Sequence, residues 1–251
     1  MKINFIGTAG LVPGMGLTIT GKRGQLTMQI DNDYLMEVGD GALRNLNANG
    51  TDLNAIKKIM ISHLHSDHFI GIVHVLFDMM HVRNRKEPLE IIGPKGIERA
   101  TRGLMSLCEL PVANDEKRGY ELKFKELGAF EKFDDIQTVR GSHPSEAHAY
   151  RISRNGRSFF YNGESSFTKE VLELAKGADL FISTVVVLKP HLFHIAPLDV
   201  GRAATEAGAK RVAVIHWPTE YEGKRDEFAK LINKHFKGEV IVPDDFTVVE
   251  V

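Results

Sequence analysis

Residues 61–72 read ISHLHSDHFIGI and hold three histidines and one aspartate within six positions: His63, His65, Asp67 and His68. The apolar residues before this group are typical of the end of a buried strand, and those after it are typical of the start of a helix. The polar side chains therefore fall in an exposed turn between the two elements. In extended chain, residues two apart point to the same side, so His63 and His65 can converge on one point. Asp67 and His68 can then face a second point nearby.

Imidazole and carboxylate groups at this spacing suit a borderline divalent cation such as zinc. A lone histidine is usually a surface or core residue, and an aspartate such as Asp67 can simply cap a helix. Four such side chains directly after an apolar strand favour a metal site over these explanations. The segment therefore predicts the ligands of a metal centre.

Length and charge restrict the class of protein. The chain has 251 residues, enough for a good core within one domain, and no repeat, low-complexity tract or convincing linker divides it. We therefore expect a single domain over residues 1–251. Lys and Arg (32) nearly balance Asp and Glu (33), so the net charge of −1 provides no overall field for nucleic acid or a membrane.

Several features predict a soluble, cytoplasmic protein. The longest apolar stretch, residues 69–77, is too short to cross a bilayer, and the N terminus lacks the apolar length of a secretory signal. The single cysteine, Cys108, excludes an internal disulfide and fits a reducing compartment. Because Cys108 lies in an apolar helical pattern, we expect its side chain in the core.

Apolar periodicity and turn residues predict an α/β protein. Strands are predicted at residues 2–6, 25–30, 34–38, 57–61, 89–92, 121–125, 136–139, 149–153, 158–161, 180–183, 212–215, 240–242 and 247–249. Helices are predicted up to about residue 47 and at 69–82, 96–107, 168–175, 198–207 and 225–235. This order suits two sheets packed together with helices outside.

Three further residues of metal-binding type come just after predicted strands. They are His143 after 136–139, Glu164 after 158–161 and His216 after 212–215. A lone residue of this kind is usually structural. Their repeated placement at strand ends, in a chain that carries a metal motif, favours additional ligands.

The pattern H-x-H-x-D-H after an apolar strand, followed by a histidine, an acid and a final histidine, resembles the metallo-β-lactamase superfamily. The resemblance covers most of the chain. It implies a four-layer αββα sandwich, in which two packed mixed sheets carry outer helices. It also implies two Zn²⁺ ions, with Mn²⁺ or Fe²⁺ as alternatives. The implied ligands are His63, His65 and His143 for one ion, Asp67, His68 and His216 for the other, and Glu164 as the bridge.

The bridging position departs from the usual superfamily pattern. It normally holds an aspartate in a Gly-Asp context, whereas this chain has Gly163-Glu164. Glutamate is one methylene longer. A displaced bridge, a one-metal site and a Glu164 outside the metal coordination therefore stay open.

The resemblance implies hydrolysis by hydroxide bound to the metal ions. Zinc lowers the pKa of bound water to about 7, so no separate strong base is needed, and Asp67 could also orient the hydroxide. An ester, phosphodiester, amide or thioester could be the substrate, because fold alone does not choose among these bonds.

A narrower resemblance favours a phosphodiester. The segments FIGTAG (5–10), LMEVGDG (35–41) and the block from His194 to His216 are similar to the branch containing RNase Z and related phosphodiesterases. The resemblance implies that a histidine at the His194 position assists catalysis by protonating the leaving oxygen. The implied catalytic residues are thus Asp67 and His194. A role for His194 outside the reaction stays open, and His191 is a weaker candidate for the same proton transfer.

Two features disfavour RNA as the substrate. RNase Z carries a long arm for gripping transfer RNA, typically between the third histidine and the bridging acid, and Glu164 follows His143 by only 21 positions. The near-neutral chain also lacks the basic surface of an RNA binder. The basic cluster at residues 83–86 is interpreted as a solvated helix cap. A small phosphodiester is therefore the favoured substrate.

The sequence leaves two other functions open. The chain could be a hydrolase of the same fold acting on a sulfate ester, lactone or thioester, or a non-catalytic metal-binding regulatory protein. A homodimer is expected because dimers are common in the branch, with Met79 and Met80 as an apolar contact.

Overall fold

A computed structural model describes residues 1–10, 23–112, 119–143, 145–188, 195–217 and 223–251. Within these residues the strands form two seven-stranded sheets. From edge to edge, the first sheet contains β14 (Thr247–Glu250), β1 (Lys2–Gly7), β2 (Thr27–Ile30), β3 (Tyr34–Met36), β4 (Lys58–Met60), β5 (Leu89–Gly93) and β6 (Leu122–Glu126). The second contains β13 (Glu239–Ile241), β12 (Arg211–Ile215), β11 (Leu180–Thr184), β10 (Arg157–Tyr161), β9 (Ala147–Arg154), β8 (Ile136–Gly141) and β7 (Phe130–Phe133).

Both sheets are mixed, and each changes direction in the same way. In the first sheet, the neighbouring strands β14, β1, β2 and β3 are antiparallel to one another. In the second sheet, the antiparallel neighbours are β7, β8, β9 and β10. Parallel pairing joins β3 through β6 and β10 through β13. Because parallel strands end at the same edge of a sheet, the loops after β4, β10 and β12 can share one side of the molecule.

The outer layers consist of helices, which are α1 (Ala42–Ala48), α2 (Ser66–Phe69), α3 (Ile72–Phe77), α4 (Ile97–Leu107), α5 (Lys169–Ala175), α6 (Pro197–Glu206) and α7 (Arg225–Ile232). None of the described helices has the length and apolar character that a membrane span requires.

Three apolar layers hold the sheets and helices together. Phe5 and Ile182 lie between the two sheets, and Leu35 packs between the first sheet and α1–α4. Phe181 packs between the second sheet and α5–α7, since neighbouring residues of a strand point to opposite faces. The molecule is therefore the expected α/β four-layer αββα sandwich, and the predicted fold class is confirmed.

Strand β7 (Phe130–Phe133) was not expected from the sequence. It lies at an edge of the second sheet, and Phe130 is 62% exposed. Its sequence, Phe-Glu-Lys-Phe, lacks the regular apolar alternation of a half-buried strand. Exposed edge strands commonly carry charged residues, which removes that signal.

The helix predicted at residues 69–82 begins earlier, at Ser66, and is broken into α2, α3 and a π-helical segment at Asp78–Val82. The carbonyl of His68 accepts a hydrogen bond from the Val38 amide, and the Gly71 amide donates to the Val38 carbonyl. The backbone groups between α2 and α3 therefore bond to the loop after β3 as well as along the helix. This contact anchors α2, which carries two of the predicted ligands.

Two predictions about apolar side chains are wrong. Cys108 is exposed, because the buried face of α4 consists of Ile97, Thr101 and Met105 and leaves Cys108 on the solvent side. Met79 and Met80 instead lie in the core between the first sheet and its helices. They are therefore unsuitable as the expected dimer contact.

The basic cluster at residues 83–86 is only partly the solvated cap that the sequence indicated. Lys86 is exposed, but Arg85 is 1% exposed. The guanidinium of Arg85 donates hydrogen bonds to five backbone carbonyls, those of Leu53, Asn54, Ile56, Glu87 and Pro88. The buried Arg85 therefore connects the loop before β4 with the loop before β5 and is not available to a substrate.

Candidate metal centre

The seven predicted ligands lie together at one edge of the sandwich. They come from four loops and one short helix: His63 and His65 follow β4, Asp67 and His68 lie in α2, His143 follows β8, Glu164 follows β10 and His216 follows β12. The side chains form two groups, and within each group the ligand atoms lie within 4.8 Å of one another. The structure therefore brings distant parts of the chain to one cluster suited to metal ions.

The first group consists of His63, His65, His143 and Glu164. Oε2 of Glu164 lies 3.5 Å from Nε2 of His63 and 3.2 Å from Nε2 of His143. The rings of His63 and His65 are 4.4 Å apart between centroids. His63 and His143 thus converge on one carboxylate oxygen, and the ring of His65 lies beside that of His63.

The second group consists of Asp67, His68 and His216. Nε2 of His216 lies 3.0 Å from Oδ2 of Asp67 and 3.0 Å from Nε2 of His68. Oε1 of Glu164 is 2.7 Å from Nε2 of His216 and 3.7 Å from Nε2 of His68. Glu164 therefore contacts histidines of both groups, one group with each carboxylate oxygen.

The two groups differ in exposure to solvent. Asp67, His68 and His216 are 4%, 0% and 1% exposed. His63 is also fully buried, whereas His65 is exposed. The cluster therefore opens to solvent on the side of His65, and the second group forms its deeper part.

Two of the predicted ligands occupy left-handed backbone conformations that are unfavourable for residues other than glycine. The φ angle is +65° at Glu164 and +68° at His216. Such strain costs about 1–3 kcal/mol and persists only where the surroundings enforce it. The His216 amide donates to the Thr8 carbonyl at 2.8 Å, and the side chain of Asn162 accepts from the Thr184 amide at 2.9 Å, which anchors the loop that carries Glu164.

Polar neighbours orient two of the imidazoles. Oγ of Ser62 lies 3.0 Å from Nδ1 of His63, and Oγ of Ser145 lies 2.9 Å from Nδ1 of His143. With Nδ1 engaged, the Nε2 atom of each ring faces the cluster. Such outer contacts fix the orientation of metal ligands.

Sequence reasoning assigned no role to these serines, nor to Glu37, which is fully buried and contacts His68 through Oε1 at 3.3 Å from Nδ1. One signal for Glu37 was present in the sequence. It is a charged residue within the apolar run 35–38, and glutamate is rarely buried without a partner.

The buried acids of the cluster are suited to a bound cation. Burial raises the pKa of Glu164, but the charge of His216 and hydrogen bonds from the surrounding histidines outweigh burial and hold that pKa well below its usual range. Burial lowers the pKa of His216, but Glu164 and Asp67 outweigh this effect and raise the pKa to about 9. The buried carboxylates thus require positive charge, which either protonated imidazoles or bound metal ions can supply.

His63 fits a metal ligand for a different reason. Burial and the charge of His68 lower the pKa of His63 to about 3, so its imidazole is neutral near pH 7. Its buried Nε2 atom has no hydrogen-bond partner among the described residues. A neutral ring with an unpaired inward nitrogen is the form of histidine that binds metal.

The predicted catalytic acid, His194, and its alternative, His191, lie outside the described residues. The role of His194 therefore stays a prediction from the sequence. Asp67, the other predicted catalytic residue, lies inside the cluster as described above.

Comparison with known proteins shows the family of this chain. Residues 37–217 match the family model described as "Beta-lactamase superfamily domain", and all seven predicted ligands lie within this range. Ribonuclease Z from Natronomonas pharaonis is 24% identical over 100% of this chain and 98% of its own length.

Two solved structures share the fold. The metallo-beta-lactamase fold protein YhfI from Bacillus subtilis has a TM-score of 0.77 at 21% identity, covering 99% of this chain and 98% of its own. The short form of human tRNase Z has a TM-score of 0.76 at 22% identity, covering 100% and 99%. With its family match, its fold and its cluster of side chains that could hold metal ions, the chain belongs to the beta-lactamase superfamily and is a metal-dependent hydrolase.

Proposed function

We propose that this protein is a dinuclear zinc hydrolase that cleaves a phosphodiester. One observation carries the proposal: Glu164 lies 3.2 Å from His143 through Oε2 and 2.7 Å from His216 through Oε1. A carboxylate with one oxygen directed at each group of histidines is suited to two cations that share it.

The proposed ligands follow from the two groups. His63, His65 and His143 would hold one ion, Asp67, His68 and His216 the other, and Glu164 would contact both. When bound, a pair of divalent cations activates water at neutral pH and neutralises charge that develops on the phosphoryl oxygens.

The protein's own side chains have separate tasks in the reaction. His63 is neutral near pH 7 and can direct Nε2 at an ion, and Ser62 fixes the orientation of its ring. Asp67 is a buried acceptor within the second group and can orient the attacking water by accepting its hydrogen. His194 is the proposed donor of a proton to the leaving oxygen, a role that rests on the sequence resemblance.

The substrate class is proposed from two considerations. The curated relative described above is named Ribonuclease Z, which favours a phosphodiester. The short spacing between His143 and Glu164 and the net charge of −1 favour a small phosphodiester over RNA. RNA is the second candidate, favoured by the name of that relative.

The first experiment measures metal content and turnover on the same preparation. We expect about two zinc ions per chain, and hydrolysis of an aryl phosphodiester that stops on chelation and returns with Zn²⁺. Aryl sulfate, lactone, thioester and precursor transfer RNA substrates are tested in parallel. Turnover confined to the sulfate, lactone or thioester would contradict a phosphodiesterase, and metal binding without any turnover would favour the regulatory alternative.

A pair of histidine variants provides the matched control. His143→Ala removes a proposed ligand and should lower both zinc content and turnover. His235→Ala removes an exposed histidine outside the cluster and should change neither. Equal activity of the two variants would contradict the proposed ligand set.

Three further expectations are carried forward as proposals. The chain is proposed to form one domain over residues 1–251, to be cytoplasmic and to form a homodimer through a surface other than Met79 and Met80. Sedimentation at several protein concentrations tests the oligomeric state, and limited proteolysis tests the single domain.

A further inference from the structure

A polar cavity of about 400 Å³ lies on the outer face of the first sheet, beside the end of α1. Asn4 of β1 and Gln29 of β2 form its floor and are directly opposite each other in the strand pair. Their neighbours Ile3 and Ile30 point into the core between the sheets, so these two side chains point outwards. The uncharged polar side chains that line the cavity are Asn4, Gln29, Asn32, Asn49 and Thr51.

A chain of hydrogen bonds fixes the amide of Gln29 at the floor of this cavity. Oε1 of Gln29 accepts from the hydroxyl of Thr51 at 2.8 Å and from Nδ2 of Asn49 at 3.3 Å. Nδ2 of Asn49 also donates to the Thr51 hydroxyl at 3.0 Å, and Oδ1 of Asn49 accepts from Nδ2 of Asn4 at 2.7 Å. Because Oε1 already receives two donors, the amino group is the free side of the Gln29 amide.

The network leaves one donor and one acceptor without a partner. Gln29 is only 7% exposed, yet no described residue accepts a hydrogen bond from its Nε2 atom. Oδ1 of Asn4 is buried and likewise has no hydrogen-bond partner among the described residues. Buried polar groups are normally paired, so the unpaired groups of these two opposed residues indicate a site that a further polar molecule completes.

The charged residues around the cavity favour a neutral ligand. Asp31 and Asp52 line it and disfavour an anion, whereas Lys2 disfavours a cation. Both acids also have donors already. Asp31 accepts from the Lys2 amide at 2.8 Å and from Arg154 at 2.9 Å, and Asp52 accepts from the Asn54 amide at 2.9 Å.

We propose that this cavity binds a neutral, hydroxyl-rich molecule about the size of a monosaccharide. A hydroxyl both donates and accepts, so it can accept from Nε2 of Gln29 and donate to the neighbouring Oδ1 of Asn4. The volume lies within the range of about 300–1,000 Å³ that is common for ligand cavities. Since the network holds Gln29 in place beforehand, binding orders few side chains.

The site is separate from the metal-binding cluster. The cavity lies towards the start of β1, whereas Thr8, whose carbonyl accepts from the His216 amide, follows the end of that strand. The inference therefore goes beyond the proposed function and does not depend on zinc or on the bond that is hydrolysed.

Nitrogen-15 NMR of the unaltered full chain tests the inference. The probes are glucose, ribose and inositol, with inorganic phosphate as the anion for comparison. We expect at least one of the three neutral probes to shift the side-chain amide resonance of Gln29 until it saturates, and phosphate to bind more weakly. The absence of a saturable shift with all three, or tighter binding of phosphate, would overturn the proposal.

Gln29→Glu removes the donor but keeps an acceptor for Thr51 and Asn49. Binding is followed through the backbone amide of Gly50, which also lines the cavity. We expect the dissociation constant of the tightest neutral probe to rise by about tenfold, the effect of losing one hydrogen bond and leaving its partner unpaired. Circular dichroism and thermal unfolding establish that the variant is folded. Wild-type affinity in folded Q29E would overturn the proposal.

Gln137→Glu is the matched control. Gln137 is a partly buried glutamine of β8 in the second sheet and does not line this cavity. We expect Q137E to bind the same probe with wild-type affinity. An equal loss of affinity in Q137E and Q29E would overturn the proposal, because the added charge alone would then account for it.

Discussion

Oε1 of Glu164 lies 2.7 Å from Nε2 of His216. The opposite oxygen of the same carboxylate is 3.2 Å from Nε2 of His143. The additional methylene of glutamate, relative to the usual aspartate, therefore leaves this carboxylate in contact with both groups of histidines. Of the alternatives left open by the sequence, this geometry favours a bridging acid.

Glu164→Gln should disrupt the bridge while preserving the length of the side chain. One oxygen is replaced by an amino group, which cannot bind a cation and would face a histidine. We expect zinc content to fall from about two ions per chain to about one, and turnover to fall by more than about a hundredfold. Glu170→Gln changes an exposed acid of α5 and should leave both unchanged. Full zinc content in E164Q would refute the bridging role.

Gly71→Ala should displace the helix that carries Asp67 and His68. A Cβ atom at Gly71 would overlap the carbonyl oxygen of Gly39, so α2 would have to move away from the loop after β3. We expect the free energy of unfolding to fall by about 1–3 kcal/mol and zinc affinity to decrease.

Gly103→Ala is the control for that substitution. A Cβ atom at Gly103 in α4 meets nothing within 4 Å, so alanine should stabilise the helix by up to about 1 kcal/mol. Chemical denaturation and zinc titration of both variants measure the contrast. A G71A variant as stable as wild type would show that this close approach does not position α2.

Arg85→Met should destabilise the fold without a direct effect on the cluster. The substitution leaves five backbone carbonyls without their guanidinium donor, and each buried unpaired group costs about 1–3 kcal/mol. We therefore expect a loss of at least about 3 kcal/mol in urea denaturation. Lys86→Met alters the exposed neighbour and should change stability by less than about 0.5 kcal/mol. Equal stability of the two variants would contradict the structural role of Arg85.

Asp179 should make stability depend on pH in the acidic range. Burial raises the pKa of Asp179, but hydrogen bonds from Lys210 and the Ser158 amide outweigh burial and lower the pKa from its ordinary 3.8. A carboxyl with a lowered folded-state pKa stabilises the protein above the unfolded pKa, and that contribution is lost as pH falls through the folded pKa.

Asp179→Asn should therefore reduce the free energy of unfolding by about 1.5–3 kcal/mol near pH 7. The difference from wild type should shrink below about pH 4, because the stabilising contribution of the wild-type carboxylate is lost as the pH falls. Urea denaturation at both pH values measures this change. Glu206→Gln changes an exposed acid of α6 and should have a small effect on the free energy of unfolding at either pH. A loss of stability in D179N that does not depend on pH would contradict the charge-based explanation.

The sequence predicted well those features that depend on neighbouring residues. His63 and His65 lie in the turn after β4, as their spacing indicated, and His143, Glu164 and His216 follow strands. Asp67 and His68 instead lie in α2, and His63, Asp67 and His68 are buried, so the expected exposed turn is correct only for His65. Strand β7 was not predicted, because this exposed edge strand lacks apolar alternation.

The locations of single side chains were predicted less well. Arg85 appeared to be a solvated cap, yet its partners lie in loops up to 32 positions away. Cys108 appeared to be a core residue, yet the last turn of α4 directs it to solvent. Such outcomes depend on which face of an element another element covers, and local periodicity does not contain that information.

By itself, the sequence determined the type and order of the proposed metal ligands and the strands that precede them, because ligand chemistry and strand pattern are local properties. Only the tertiary structure decided that Glu164 reaches both groups and that Glu37 lies behind His68, since 127 positions separate these two glutamates and only the packing of two sheets brings them to one site.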